Sequence, residues 1–388
     1  MGWGNDSMTR GRCIRFLAGG GLVLSLLGYT DLALAQSLPV ISGVTGTAQQ
    51  GSQITISGLG FGTKGVAAPL RWDNFESGTA GDIIGNDALG NAWDVDCAGG
   101  TGNCQPDYSN SVRRTNSNMS ARARFLPGSW ESSFYVSGVN LNKVYMDAWY
   151  YYAPGPIASP NHKIFRIHAN TYTPNLYFNI YCINAGTHLS QDGSGEVGTW
   201  HYWPSIAGGA GYFLNKWVHL QGYFEMSSSM ANDGTALLWV DNFQWVNERK
   251  TWNTTPNSTS YWSSFYFGNF MEHDPGASSC GPVDTGYTFW DNAYLDTTQA
   301  HVELGNMPTY AACTLREVQV PTSWSPTAVT VKLNQGAFTN LSNTYVYVTN
   351  RDGLVNAVGV SPCTTCPPPV LDLTAPTAAL DLRARPGP

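Results

Sequence analysis

The feature that most constrains this chain is a period-two alternation in its apolar-rich segments, with no convincing helical period anywhere. Between Asn161 and Glu225 one phase carries His162, Arg166, His168, Tyr177, Asn179, Tyr181, His219, Gln221 and Tyr223. The opposite phase carries Phe165, Ile167, Leu176, Phe178, Ile180, Leu220 and Phe224. Side chains alternate across a strand, so the second set predicts a buried face and the first a polar, aromatic and basic one. The segments are expected to gather the first set on a single sheet face, and a face of His, Tyr, Arg and Asn suits a saccharide.

Similar segments recur at 133–137, 144–152, 236–241 and 263–269, separated by Gly, Asn and Pro turns. With 42 Gly and 22 Pro against only 12% charged residues, the chain reads as all-β, built of many short strands. Residues 1–35 stand apart. Arg10, Arg12 and Arg15 precede an apolar run from Phe16 to Leu27 and then Ala33-Leu34-Ala35, the layout of a secretory signal peptide cleaved before Gln36. No later stretch is apolar enough to span a bilayer as a helix, so a secreted or cell-surface protein is expected.

The formal net charge of −7 gives little long-range attraction for nucleic acid, and any acidic polymer has to be held by local Arg, Lys and His. Beyond the leader the cysteines are Cys97, Cys104, Cys182, Cys280, Cys313, Cys363 and Cys366. In an exported chain the close pairs Cys97/Cys104 and Cys363/Cys366 invite local disulfides, whereas a zinc site would need a second C-x-x-C pair that is absent. Cys182 falls in the apolar phase of its segment and reads as a buried thiol. The odd count leaves at least one thiol unpaired or bonded elsewhere.

The opening Leu38-Pro39-Val40-Ile41, followed by Gly51 to Gly62 (GSQITISGLGFG), resembles the start of an IPT/TIG immunoglobulin-like domain. The rest of that pattern returns near the other end as Ser323-Trp324-Ser325-Pro326-Thr327-Ala328-Val329-Thr330-Val331, with Tyr345 to Asn350 as closing strands. The resemblance implies one small sandwich built from residues 37–68 and 311–361, with residues 70–310 inserted between them. Within the insert, Asn215 to Leu220, Thr235 to Asn242 and Trp290 to Asp296 are similar to the concanavalin A-like jelly roll, in its LamG-like and polysaccharide-lyase branches. Residues 362–388, rich in Pro, read as a linker or tail.

What the lyase resemblance implies is a groove in which a Tyr or His removes the C5 proton of a uronic acid. That proton is only weakly acidic until the neighbouring carboxylate is neutralised, so the base needs partners. The candidates are His168 or His219 as base, Tyr177, Tyr181 or Tyr223 as acid, and Arg166, Asn179 and Gln221 as neutralisers. His162, Trp149, His201 and Trp203 are expected to add sugar contacts, the indoles by stacking. The R-x-E-x-R strand and Q-(I/V)-H triplet of the alginate branch are absent, and Arg166-Ile167-His168 matches the triplet only in part. The E-x-D-x-(x)-E hydrolase signature is also missing, and Glu225 has no acidic partner on its own segment, which disfavours hydrolysis. Asp73, Glu76 and Asp291, at the two ends of the insert, are candidates for a structural calcium, with solvent-exposed turn acids as the alternative. Two functions follow: a lyase cleaving a uronic-acid-containing polysaccharide, or a non-catalytic carbohydrate-binding or adhesion module. A third reading is a matrix component that binds other proteins.

Overall fold

In chain order the strands are β1 (Val40–Gly46), β2 (Gln53–Leu59), β3 (Arg71–Asp73), β4 (Asp94–Gly99), β5 (Asp107–Ser109), β6 (Ser120–Phe125) and β7 (Ser129–Val136). There follow β8 (Lys143–Tyr152), β9 (His162–Ala169), β10 (Asn175–Tyr181), β11 (Ala185–Asp192), β12 (His201–Tyr202), β13 (Trp217–Glu225) and β14 (Gly234–Val240). The last are β15 (Phe243–Lys250), β16 (Trp262–Met271), β17 (Gly286–Asp296), β18 (His301–Gly305), β19 (Arg316–Trp324), β20 (Ala328–Lys332) and β21 (Tyr345–Thr349). The computed structural model describes residues 38–99, 104–126, 129–153, 162–171, 174–181, 185–192, 201–202, 206, 209–271 and 286–362. The expected leader, the tail from residue 363, and Cys182, Cys280, Cys363 and Cys366 lie outside the described residues. Among the described residues no helix is long and apolar enough to cross a membrane.

Two antiparallel sheets face each other as a jelly-roll sandwich. One is seven-stranded, in the order β12-β11-β10-β9-β16-β7-β4, and the other runs β15-β14-β13-β8-β17-β6-β5 with β3 added beside β17. Their facing sides supply one core. Phe165, Ile167, Leu176 and Phe178 come from the seven-stranded sheet, and Ala148, Tyr150, Leu220 and Phe224 from the other, all buried. Phe134 and Phe267 stack at 5.4 Å on neighbouring strands and meet the Trp290 ring across the sandwich. Each such side chain contributes roughly 1.5–3 kcal/mol by burial, which fixes the strand register because a one-residue slip would turn the whole apolar set outward.

A third, six-stranded sheet, β1-β2-β20-β19-β18-β21, takes strands from both ends of the described chain. β19 gives its first residues to β18 and its last to β20, so the sheet folds over a core of Ile54, Ile56, Val302, Leu304, Val331 and Val346. Its Val318 and Val320 pack on Trp72, Tyr145, Tyr223 and Tyr294, which stand on the outer side of the eight-stranded sheet. Gly336, after β20, shows how tight this seam is: its φ is +52° and a Cβ there would lie 2.2 Å from the Glu317 carboxylate carbon. Only glycine fits both the backbone and the space.

The Cys97–Cys104 disulfide is formed, tying the end of β4 to the segment leading into β5. Cys313 is a free, buried cysteine.

Candidate functional site

β9 carries the best-equipped surface of the molecule. Phe165 and Ile167 face the core, which leaves Arg166 and His168 on the outer side of the seven-stranded sheet. The register with β10 slips between Phe178/Phe165 and Asn179/Lys163. This bulge puts Lys163 on the same outer side as Arg166 and turns His162 inward. Lys163 Nζ lies 4.6 Å from the centre of the Tyr177 ring on β10. His162 is 1% exposed and bonds Tyr150 Oη at 3.2 Å in the core, so the expectation that it lines the polar face is corrected.

Around Arg166 and His168 the outer face is aromatic and charged. The Arg166 guanidinium pairs with the Glu131 carboxylate of β7 and lies 4.1 Å from the Tyr266 ring centre of β16. His168 sits 5.1 Å from the Tyr266 ring and 6.4 Å from the Tyr177 ring. Tyr135 of β7 stacks on Tyr266 at 4.5 Å, extending the row across four strands. Burial raises the Glu131 carboxyl above its usual range against the pull of Arg166. Burial also depresses His168 to about 3, helped by the Arg166 and Lys163 charges, so its imidazole is neutral at neutral pH. Two cations, a neutral imidazole and several phenols on one face can hold a carboxylate and can accept or donate a proton beside it.

The other half of the expected set lies elsewhere. His219, Gln221 and Tyr223 of β13, with Trp149 of β8, occupy the outer side of the eight-stranded sheet, under the six-stranded one. The sequence predicts one face; the structure has two, on opposite sides of the sandwich. His219 is 2% exposed, its Nε2 2.9 Å from Asp147 Oδ1 and its ring stacked at 4.7 Å on Trp149. Burial opposes its protonation, yet the Asp147 carboxylate outweighs that and raises its pKa. Gln221 Nε2 donates to Glu303 Oε1 at 3.0 Å, and its Oε1 accepts from Arg316 at 2.8 Å. Burial works against the Glu303 charge, but Arg316 and His301 hold that carboxyl far below its ordinary range. Tyr223 donates to Glu225 at 3.0 Å. Gln221 thus ties the two sheets, His219 is held by Asp147 of the neighbouring strand and Tyr223 by Glu225 of its own. The roles of base, neutraliser and acid expected of His219, Gln221 and Tyr223 are therefore corrected to structural contacts. Trp149, expected as a sugar platform, instead carries the Arg114 guanidinium at 3.9 Å.

Trp203 lies outside the described residues, as do the side chains of Asn179, Tyr181 and His201. Glu131, Lys163, Tyr135 and Tyr266 were not singled out from the sequence. The alternation of Glu131, Tyr135 and Tyr266 with Phe134, Phe265 and Phe267 was a readable signal, but Lys163, in phase with Phe165, reaches the outer side only through the bulge, and which strands are neighbours was not readable.

The three carboxylates expected at a calcium site are taken by protein donors. Asp73 accepts from Phe75 N at 2.7 Å and Trp93 Nε1 at 2.9 Å, Glu76 from Asn118 and Met119, and Asp291 from Ser117 Oγ at 2.8 Å. Burial pushes Asp73 and Asp291 each up to about 7, which removes much of the charge a calcium ion needs. Among the described residues no group of three or more His, Cys, Asp or Glu is arranged to hold a metal, and the donor set does not fit calcium.

No protein-family profile matches the chain, and no curated protein matches it. Among solved structures it is similar to the alginate lyase Aly36B, at 12% identity and a TM-score of 0.41, over 60% of this chain and 97% of that one. An endo-beta-1,4-glucuronan lyase from the fungus Trichoderma reesei is 15% identical with a TM-score of 0.40, over 57% of this chain and 96% of its own. The alginate lyase vAL-1 from Chlorella virus is 14% identical with a TM-score of 0.37, over 53% and 92%.

Proposed function

We propose that the outer face of the seven-stranded sheet binds an acidic polysaccharide and is equipped to cleave it by β-elimination. The observation that carries this reading is the convergence of Lys163, Arg166, His168, Tyr177 and Tyr266 on three neighbouring strands of one face. In this reading the Lys163 and Arg166 charges hold the uronate carboxylate, which acidifies the C5 proton. The neutral His168 takes that proton, and Tyr177 or Tyr266 returns one to the departing O4. Electrons from the C5–H bond form the C4–C5 double bond as the C4–O4 bond breaks, so no water or cofactor is consumed. Incubating the full chain with a panel of polyuronates and following the absorbance of the unsaturated uronyl product tests it.

Binding without cleavage is favoured by a specific observation. His168 is depressed to about 3 and is a weak base, and Arg166 already spends part of its charge on Glu131. Retention on a polyuronate gel with no unsaturated product from any polymer in the panel selects this second reading.

We also read residues 37–68 and 311–361 as an IPT/TIG-like spacer, supported by β2 of the first segment pairing with β20 of the second. β18 (His301–Gly305) pairs with β19 and β21, so the carried part that starts at residue 70 ends before β18 rather than at residue 310. Limited proteolysis of the full chain, with cuts near residues 69 and 298, between β17 and β18, is the expected outcome. Export through residues 1–35 to the cell surface or medium is supported by the Cys97–Cys104 disulfide, and is tested by fractionating cells that express the full chain.

A further inference from the structure

β17 bulges between Asp291 and Tyr294, and at the bulge Asn292 holds a left-handed backbone, φ +51°. Asparagine is among the few residues besides glycine that tolerate this. The bulge aims the Asn292 side chain at the six-stranded sheet, where Nδ2 donates to Glu317 Oε2 at 3.0 Å. Glu317 itself is fully buried and neutralised by Arg114. Asn292 is 2% exposed, and its Oδ1 has no hydrogen-bond partner among the described residues; it stands in the wall of a cavity of about 280 Å³.

The rest of that wall has the same character. Asn116, also left-handed at φ +66°, spends Nδ2 on the Gly336 and Phe338 carbonyls and keeps Oδ1 without a partner. Asn118 gives Nδ2 to Glu76 and likewise keeps Oδ1. Asn74 accepts from Glu76 N and keeps Nδ2. Asn116 and Asn292, both left-handed, stand in this wall, and the bulge re-aims the Asn292 side chain there. A second cavity of about 380 Å³ shares Gln50, Asn74, Glu76 and Asn334 with the first and runs on past Trp72 and Lys332, making one groove along the seam.

The donors and acceptors decide the ligand. Planar amides that offer both match adjacent sugar hydroxyls, which also do both. No Lys or Arg lines the first cavity, so it has nothing to neutralise a uronate. Among the described residues no group of three or more His, Cys, Asp or Glu is placed to hold a metal, and neutral amide oxygens lack the charge a calcium site draws on. We propose that the seam between the eight-stranded and six-stranded sheets is a second glycan site, taking a neutral oligosaccharide, apart from the outer face of the seven-stranded sheet. It stands whether or not that face binds or cleaves anything.

Titration calorimetry of the full chain with cellotetraose, mannotetraose, xylotetraose and laminaritetraose tests it, with an alginate tetrasaccharide and calcium chloride as contrasts. One or more of the neutral tetrasaccharides binds one to one. Asn292→Gly, which keeps the backbone conformation, and Asn118→Ala, at the exposed rim, each weaken it about tenfold, while Arg166→Ala leaves it unchanged. Circular dichroism establishes that the variants are folded, and Asn118→Ala keeps the test open should Asn292→Gly not be. The proposal is overturned if none of the neutral tetrasaccharides binds, or if both asparagine variants bind as the parent does. It is equally overturned if the alginate tetrasaccharide binds in a manner lost in Asn118→Ala but kept in Arg166→Ala, or if calcium binds and Glu76→Gln abolishes it while no saccharide does. Loss of polyuronate binding in Arg166→Ala concerns the other face and leaves this result untouched.

Discussion

His219 Nε2 lies 2.9 Å from Asp147 Oδ1 in a seam where both side chains are almost wholly buried. A pair placed like this ties β13 to β8 within the eight-stranded sheet, beneath the six-stranded one. Removal of His219 leaves Asp147 Oδ1 buried without its donor, with Gln221 and Tyr145 still donating to Oδ2, which costs up to about 3–5 kcal/mol for pairs of this kind. His219→Ala is therefore expected to lower the urea-unfolding free energy by that amount, while glycan binding per folded molecule stays as in the parent. A variant of full stability that has lost glycan binding would return His219 to the list of functional residues.

Arg166 is expected to behave in the opposite way. Arg166→Ala deletes the cation paired with Glu131 and leaves that carboxylate to repel an acidic chain, so retention on a polyuronate gel should fall at least tenfold, the worth of about one charge-assisted hydrogen bond. Arg166→Lys should restore part of it, since a lysine keeps the charge but not the planar fork. Unchanged retention in Arg166→Ala would mean that the glycan, if any, binds elsewhere.

Two groups shifted by burial, the half-buried His168 and the buried Asp291, give opposite pH signatures. His168 is depressed from 6.5 to about 3, so it favours folding above its unfolded value, and that contribution is lost as pH falls from about 6.5 toward 3. Asp291 is raised from 3.8 to about 7, so its contribution is complete below about 3.8 and is lost as pH rises through about 7. In thermal melts His168→Gln should flatten the acid side of the stability profile, and Asp291→Asn the side between pH 4 and 7. An imidazole resonance of His168 that titrates near 6.5 would contradict the first expectation.

Gly336→Ala and Gly81→Ala separate crowding from backbone conformation. Both glycines have positive φ, but a Cβ at Gly81 meets nothing within 4 Å whereas one at Gly336 strikes Glu317. Gly81→Ala should cost about 1 kcal/mol and Gly336→Ala about 2–4 kcal/mol in chemical unfolding. Equal costs would show that the contact with Glu317 relaxes freely.

Alternation made the strands legible, because burying Phe165, Ile167, Leu176 and Phe178 on one side is a local demand that a sequence must meet residue by residue. It placed Arg166, His168 and Tyr177 together correctly, since β9 and β10, successive in the chain, pair directly. Strand order is a different matter. β9 pairs on its other side with β16, and β13 with β8, and those partners are chosen by packing among segments far apart in the chain. Hence His219 and Gln221 were grouped with His168 although a whole sandwich separates them, and Tyr266 was overlooked. His162 failed for a smaller reason: a single bulge inverts the phase, and nothing in HKIFRIHA announces it.

The third sheet bears on how the molecule is made. Thr55 of β2 and Thr330 of β20 share a hydrogen bond although 275 positions separate them. A ribosome therefore delivers the β1–β2 hairpin long before the strand that completes it, and the hairpin must wait with one edge open while the entire sandwich is synthesised. Non-local closure of this kind is slow, and an open edge accepts whatever strand arrives first. In a crowded cell that strand can be the β20 of another copy, so interlocked dimers are the characteristic misassembly to look for when the chain is produced quickly.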